Sequence, residues 1–290
     1  MKNHYNILVQ NFCIPLDAKT YLINSKEKIF NEYNEEIKQI IAKFYKVKNK
    51  TFLIENEVKS LSEKSNIHEY TLYFIVLACS SYYMLEDFKR ANISEKVFWD
   101  TIEDLQYKLI ECKNVKGVWG NFAHGWYNIF YTLDIFKLGR LEFERVKFPK
   151  ESYTFEDVTV NKGDTVYSVH IPSCGALSKE LREISYKKAF DFFKDELCDK
   201  PLVCICDSWL LYPQNREIFP KNSNLLDFLS DWDIIESNED PNFGNAWRVF
   251  NKDYQKGQMN AETSLQKAIV NYIENGGTMG SGFGIKIIKP

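Results

Sequence analysis

The stretch TVYSVHIPSCGAL, Thr165 to Leu177, decides the fold that this sequence predicts. Its first part has the alternation of a strand, and Pro172 ends that strand because proline cannot continue a hydrogen-bonded ladder. Apolar residues then recur at helical spacing as far as Leu197, just before the next apolar run, PLVCICDSWLL. A helical crossover joins neighbouring strands that run parallel or nearly so, with the helix on one face of the sheet. The sequence therefore predicts a strand, loop, helix, strand unit.

Two further strands are predicted ahead of this unit. At Leu138 the helical period changes to alternation. The residues of GRLEFERVKF then divide between two faces, with Leu141, Phe143 and Arg145 on one and Arg140, Glu142 and Glu144 on the other. A strand near Phe155 to Val160 and a hairpin turn at 161–164 follow. We therefore expect three consecutive antiparallel strands.

The same patterns predict the elements after residue 211. They are a short helix after Ser223, strands at Asp233 to Glu236 and Ala246 to Phe250, a helix at Ala261 to Glu274, and a terminal strand at Phe283 to Ile288. We expect the terminal strand to lie in the sheet, in place of a first strand that the pattern does not show before Leu138. The glycine-rich GGTMGSGFG follows a helix and precedes a strand, whereas a dinucleotide fingerprint requires the reverse order, so it predicts a turn or a bulged strand.

The N-terminal part is predicted to be a helical bundle. Apolar residues at helical spacing indicate one helix from Ser25 to Phe44, a second beginning near Asn66, and a third capped by Ser94. The segment from Phe122 to Phe136 is a candidate for a fourth helix. A bundle of this kind precedes the predicted strands.

The length and the change of period at Leu138 predict two domains. A chain of 290 residues is long for a single core. We place a helical domain at residues 1–137 and a sheet-containing domain at residues 138–290.

The composition predicts a folded, cytoplasmic protein. With 44% hydrophobic and 27% charged residues, the chain is too apolar to be disordered. Its net charge is −3, and its basic residues are interleaved with acidic ones, which disfavours nucleic acid as a partner. The most apolar stretch, Leu72 to Cys79, is far shorter than the roughly 18 residues of a membrane span. The seven cysteines are scattered without zinc spacing, so we expect free thiols and no metal.

Four short segments of the sequence resemble those of a known family. LGRLEFE, VHIPSCGAL, SWLL and SNLLDF, in this order, resemble the bacterial two-domain acyltransferase family with a helical N-terminal domain and a GNAT-like C-terminal domain. The resemblance extends from GWY at Gly125 to TSLQKAI at Thr263. It implies a helical bundle followed by a mixed α/β sheet flanked by helices. It also implies an N-acyltransferase that uses acetyl-CoA or a longer acyl-CoA on a small-molecule or amine acceptor.

The resemblance also implies where CoA would bind. In GNAT proteins two central strands splay apart around the pantetheine, and backbone N–H groups at the next helix N-terminus bind the pyrophosphate. Carried over, the splayed strands are Val166 to Ile171 and Leu202 to Leu210. The implied CoA-binding residues are Ile171, Ser173, Cys174, Gly175, Ala176 and Leu177.

This loop departs from the GNAT pattern of Arg or Gln, two residues, Gly, one residue, and Gly or Ala. Pro172 occupies the first position and Leu177 the last. An ordinary strand-to-helix turn is therefore the alternative, and it would suit a non-catalytic GNAT-like binding or structural module.

Glu142, His170 and Tyr212 are the candidate catalytic residues. A base must deprotonate the acceptor amine, and an acid can reprotonate the thiolate. A histidine titrates in the useful range, but alternation puts His170 on the face of Val166, where a core histidine is equally expected. Glu142 could instead pair with Arg140. We prefer Glu142 together with His170.

Cys206 suggests another route, in which its thiol accepts the acyl group and His170 acts as the base. Cys204 and Cys206 would share one face of an apolar strand. Buried thiols are usually inert, so this pattern favours a place in the core.

Overall fold

The computed structural model describes residues 1–47, 51–155, 157–255 and 257–289. Contacts within the chain separate two compact units, Met1–Phe136 and Lys137–Pro290. Each unit has its own set of buried apolar side chains.

The N-terminal unit is helical. Its helices are α1 (Lys2–Asn11), α2 (Leu16–Glu32), α3 (Asn34–Val47), α4 (Glu55–Ser65), α5 (Glu69–Arg90), α6 (Glu95–Ile102) and α7 (Asp104–Lys116), with 3₁₀ turns at Thr51–Ile54 and His124–Thr132. Helix α5 is central: it contacts every other helix of the unit, and residues 71–81 are all buried. A helix that is apolar on all sides is expected in such a position. Across the described part of the chain, no helix has the length and apolarity to cross a membrane.

Two predicted helices of this unit have different boundaries in the structure. The predicted helix from Ser25 to Phe44 is interrupted at Tyr33, whose ψ of 37° lies outside the helical region. Buried residues keep helical spacing on both sides of this break, so periodicity does not reveal it. Asn66 does not begin α5: it is left-handed, with φ 55°, and it ends α4. His68 caps α5 instead.

Of the remaining two predictions for this unit, one is confirmed and the other is wrong. Ser94 caps α6 as predicted, because its side chain accepts a hydrogen bond from the N–H of Val97. The segment from Phe122 to Phe136 does not form an α-helix. It contains the 3₁₀ turn at His124–Thr132 and the start of a strand.

The C-terminal unit is a mixed sheet flanked by helices, as predicted. Its strands are β1 (Ile135–Leu138), β2 (Leu141–Lys147), β3 (Tyr153–Phe155), β4 (Val158–Val160), β5 (Thr165–His170), β6 (Leu202–Ser208), β7 (Asp233–Glu239) and β8 (Gly280–Ile288). Its helices are α8 (Lys179–Leu197), α9 (Asn215–Ile218), α10 (Asn224–Ser230), α11 (Ala246–Phe250) and α12 (Ser264–Glu274), with a 3₁₀ turn at Trp209–Leu211.

One sheet has the strand order β1-β2-β5-β6-β8-β7, and β3 pairs with β4 in a separate hairpin. Strands β5 and β6 are parallel. The pairs β2 with β5, β6 with β8, and β8 with β7 are antiparallel. Helix α8 is the crossover between β5 and β6, so the predicted strand, loop, helix, strand unit is confirmed.

The two faces of the sheet are covered differently. On one face, the helix face, the rings of Tyr186 and Phe193 in α8 lie 6.3 and 4.2 Å from those of Phe143 and Tyr167. On the other, the hairpin face, a cluster of buried residues is formed by Phe148, Val160, Val166, Ile205, Phe283 and Ile285. The β3–β4 hairpin contributes to this cluster. Because successive strand residues point to opposite faces, each sheet residue can be assigned to one of them.

Three strand predictions need correction. The segment from Phe155 to Val160, of which Glu156 lies outside the described residues, belongs to the hairpin, and β2 pairs directly with β5. The segment from Ala246 to Phe250 is helix α11, because a short apolar run does not distinguish helix from strand. The terminal strand, β8, does lie in the sheet, between β6 and β7. It does not replace a first strand, since β1 supplies one.

The glycine-rich segment begins in a turn at Gly276 and continues as strand β8 from Gly280. The pairing of β8 with β7 has a register shift between Ile234 and Glu236, so the predicted turn or bulged strand is confirmed. Gly280, Gly282 and Gly284 alternate along β8. A Cβ at Gly282 would overlap the carbonyl oxygen of Leu211, and one at Gly280 would overlap the ring of Tyr212. Glycine is therefore needed because the segment that follows β6 crosses directly over the strand.

Gly282→Ala should lower the free energy of unfolding by about 2 kcal/mol, because a methyl group there must displace the Leu211 backbone. Urea unfolding followed by circular dichroism measures this. Gly244→Ala is the control, since its Cβ would lie 3.4 Å from its nearest neighbour, a carboxylate oxygen of Asp240. Equal midpoints for the two variants would contradict the close approach.

Candidate active site

Strands β5 and β6 form a short parallel ladder. Among the described residues they are paired only at Tyr167 with Cys204 and at Ser168 with Ile205. Strand β5 nevertheless continues to His170, and β6 continues beyond Ile205. The last residues of these two parallel strands are therefore not paired with each other, at the edge where open α/β sheets bind their ligands.

The loop from β5 to α8 begins at this edge. Gly175 has φ 98°, a left-handed conformation that favours glycine, and a Cβ there would meet no atom within 4 Å. Conformation rather than crowding therefore requires glycine at this position. Ser178 occupies the N-cap position of α8, but its side chain makes no capping hydrogen bond. The first-turn N–H groups of α8 are thus not capped by Ser178.

Two arginines bind this loop through its carbonyl groups. Nε and Nη2 of Arg140 donate to the carbonyls of Ala176 and Gly175, each at 2.9 Å. Nη1 of Arg182 donates to the carbonyl of Leu177 at 2.7 Å. Neither contact is predicted by the sequence, in which Arg140 suggests only a partner for Glu142.

The sequence does not predict the role of Arg182, because the residues of α8 that are buried differ from those that form its apolar pattern. Leu181 and Ile184, which continue the apolar pattern, are exposed by 41% and 42%. The buried stripe consists of Arg182, Ser185, Tyr186, Ala189, Phe193 and Leu197. Arg182 is fully buried because its guanidinium also binds Asp227 at 2.6 Å and Asp231 at 2.7 Å. The helical spacing of this stripe is regular, but its first residue is charged.

Glu142 and His170 are brought together by the sheet register. They are directly opposite each other on β2 and β5, on the hairpin face. Glu142 is 1% exposed, whereas His170 is partly exposed. Nε2 of His170 lies 2.8 Å from Oε2 of Glu144, one position along the same face. Glu144 is a site residue that the sequence did not indicate. Its alternation with Glu142 was visible, but the register with β5 was not.

Asp207, near the carboxyl end of β6, adds a further carboxylate to the hairpin face. It is paired across the sheet with Phe283, and the ammonium of Lys150 lies 5.1 Å from the centre of that ring. Partial burial raises the pKa of the Asp207 carboxyl above its usual value, the charge of Lys150 opposes this shift, and the charge of Glu236 adds to it. Although carboxylates gather here, no three His, Cys, Asp or Glu side chains of the described residues are placed to hold a metal ion.

Tyr212 is not brought to Glu142 and His170. Its ring packs over Gly280, and alternation along β8 from the Cys206–Gly284 pair places that contact on the helix face. Tyr212 is buried, and burial raises the pKa of its hydroxyl. The three predicted catalytic residues therefore lie on two faces of the sheet.

Cys206 is also separated from His170 by the sheet. It lies on the helix face, whereas His170 lies on the hairpin face. Its side chain is fully buried, as is that of Cys204, and burial raises the pKa of both thiols far above the usual value. A thiol activated by His170 is therefore excluded by the geometry.

Two family models match the chain. Residues 135–286, more than half of the chain, match the GNAT-like C-terminal domain. The chain belongs to the GNAT-like C-terminal domain family. Residues 17–133 match the N-acyltransferase N-terminal domain, so the two-domain resemblance drawn from the sequence is confirmed. No curated protein sequence matches the chain.

The GNAT-like chain is similar in fold to solved acyltransferase structures. One acyltransferase, in complex with decanoyl-CoA and teicoplanin, is 20% identical with a TM-score of 0.64, over 76% of this chain and 67% of that chain. Another, with decanoyl-CoA, is 21% identical with a TM-score of 0.64, over 78% and 68%. A mutant acyltransferase with octanoyl-CoA is 19% identical with a TM-score of 0.63, over 76% and 67%.

Thiol labelling of the native GNAT-like chain at pH 7.5 should modify the exposed Cys198 and leave Cys204 and Cys206 unmodified until the chain is unfolded. The reason is that burial disfavours their thiolate forms. Mass spectrometry after brief iodoacetamide treatment measures the labelling. Rapid modification of Cys206 that an acyl-CoA prevents would restore the thiol route.

Proposed function

We propose that this protein is an acyl-CoA-dependent N-acyltransferase whose acceptor is a small-molecule amine. The observation that carries the proposal is the unpaired carboxyl ends of β5 and β6, between which a gap would open beside the loop and the start of α8. Family membership supports it. So does the fold shared with acyltransferases that bind decanoyl-CoA or octanoyl-CoA, one of them together with teicoplanin.

CoA would occupy the gap and the loop. The pantetheine would lie between the separated ends of β5 and β6, next to Ile171. The pyrophosphate would lie on residues 173–177, where backbone N–H groups and the positive end of the α8 dipole favour an anion. Gly175 and Ala176 are exposed, so this surface is open to a ligand.

His170 would act as the base, oriented by Glu144. The imidazole, held through Nε2 by Glu144, would take the proton of the acceptor amine. The amine nitrogen then bonds to the thioester carbonyl carbon, and the carbon–sulfur bond breaks to release the CoA thiolate. The thiolate then takes a proton from the imidazolium of His170, since Tyr212, the donor predicted from the sequence, lies buried on the helix face. The carboxylates of Glu142, Glu144 and Asp207 favour the approach of a positively charged amine.

Calorimetric titration with acetyl-, octanoyl- and decanoyl-CoA tests the CoA site. We expect binding of at least one of them, and we expect Gly175→Trp to weaken it by at least about tenfold, because the indole would cover the loop. Gly163→Trp is the matched control: Gly163 has φ 87°, and its Cβ would also meet no atom within 4 Å. No heat for any acyl-CoA would favour the non-catalytic alternative.

His170→Gln should lower kcat by about a hundredfold or more, because the amine loses its base. Glu144→Gln should cause a smaller loss, since it orients the imidazole without taking the proton. Free CoA released from the bound acyl-CoA in the presence of a panel of amines gives the rate. Glu183→Gln, an exposed change on α8, should leave the rate unchanged. Undiminished turnover by His170→Gln would remove His170 from the mechanism.

A further inference from the structure

The loop from β5 to α8 directs three consecutive carbonyls towards arginine side chains. The carbonyls of Gly175 and Ala176 accept from Arg140, and that of Leu177 accepts from Arg182. Each of these three carbonyls thus has a side-chain donor. Here the partners come from outside the loop, so the loop's conformation depends on them.

The geometry of the peptide bond fixes the direction of the N–H groups that follow these carbonyls. In a planar trans peptide the N–H points opposite to the carbonyl of the preceding residue. The N–H groups of Ala176, Leu177 and Ser178 therefore point away from the two arginines. Within the described residues no acceptor is found for these three N–H groups. Consecutive backbone N–H groups in a turn form a surface for an anion.

Both arginines are fixed in place. Arg182 is fully buried and also binds Asp227 in α10 and Asp231 at the C-cap of that helix, so it cannot reach a ligand on the loop. The backbone N–H of Arg140 donates to Oγ of Ser185 at 2.6 Å, which ties the turn between β1 and β2 to α8. Their effect on a bound anion is therefore exerted through the loop.

We infer that Arg140 and Arg182 are positioning residues that aim the backbone N–H groups of residues 176–178 at the pyrophosphate of CoA. The inference rests on the proposed function. Arginine suits the task because its planar guanidinium binds two neighbouring carbonyls at once, whereas lysine carries the same charge without the fork. A lysine at position 140 would satisfy one carbonyl and release the other.

The test compares a ligand that has the pyrophosphate with one that lacks it. Affinities for CoA, by calorimetry, and for pantetheine, by chemical-shift titration, are measured with the full chain. Arg140→Lys should weaken CoA binding by about tenfold, equivalent to losing one hydrogen bond to a charged group. Pantetheine binding should change less than about twofold, because it does not contact the loop N–H groups. Arg182→Lys should show the same selectivity.

Arg145→Lys is the matched control. Arg145 lies on the same strand, β2, and its Nε and Nη2 bind one carboxylate, that of Glu196. It makes the same kind of forked contact away from the loop, so its replacement should alter neither affinity.

The outcomes separate the two claims. If the unchanged protein binds CoA, and Arg140→Lys weakens CoA and pantetheine by the same factor or weakens neither, the positioning role is wrong while the CoA site stands. If the unchanged protein binds no CoA, the proposed function fails, and the positioning role fails with it. The ratio of the two affinities does not depend on the folded fraction, so partial unfolding of a variant cannot imitate the expected result.

Discussion

The parallel pairing of β5 with β6 is the constraint on which the rest of the C-terminal unit depends. Parallel neighbours require a crossover, and α8 supplies it. The pairing extends over only two residue pairs, so the carboxyl ends of the two strands are free to separate. The start of α8 and the loop ahead of it follow the unpaired end of β5. Every element of the proposed CoA site follows from this short pairing.

Strand alternation then divides the chemistry between two faces. The hairpin face holds His170, Glu142 and Glu144, whereas the helix face holds Cys206 and the contact of Tyr212 with β8. The division excludes a thiol route and favours base catalysis by the imidazole. It follows from the register of neighbouring strands, because a shift by one residue would exchange the two faces.

The loop shows how a departure from a sequence pattern can be compensated by the fold. Pro172 stands where GNAT proteins have Arg or Gln, so the pattern alone left CoA binding in doubt. In the structure, Arg140 and Arg182 bind the loop carbonyls. Arg182 lies in α8, the helix that directly follows the loop, so its contact is local in sequence. The contact of Arg140 is distant in sequence, because it requires the β1–β2 turn to lie against α8. Such a contact has no signal in local sequence.

The sequence by itself determined the crossover unit, the mixed sheet, the helical N-terminal part and the choice of Glu142 and His170 as candidate catalytic residues. The crossover unit and the helical part rest on local periodicity, which the chain carries wherever one face of an element is buried. The mixed sheet and the two candidate residues rest on the resemblance to the GNAT-like family. Only the tertiary structure decided that Glu144 contacts His170, that Tyr212 lies on the other face, and that Arg182 is buried. The physical reason is that a buried charge or a cross-strand contact depends on partners distant in sequence, and no periodic pattern identifies them.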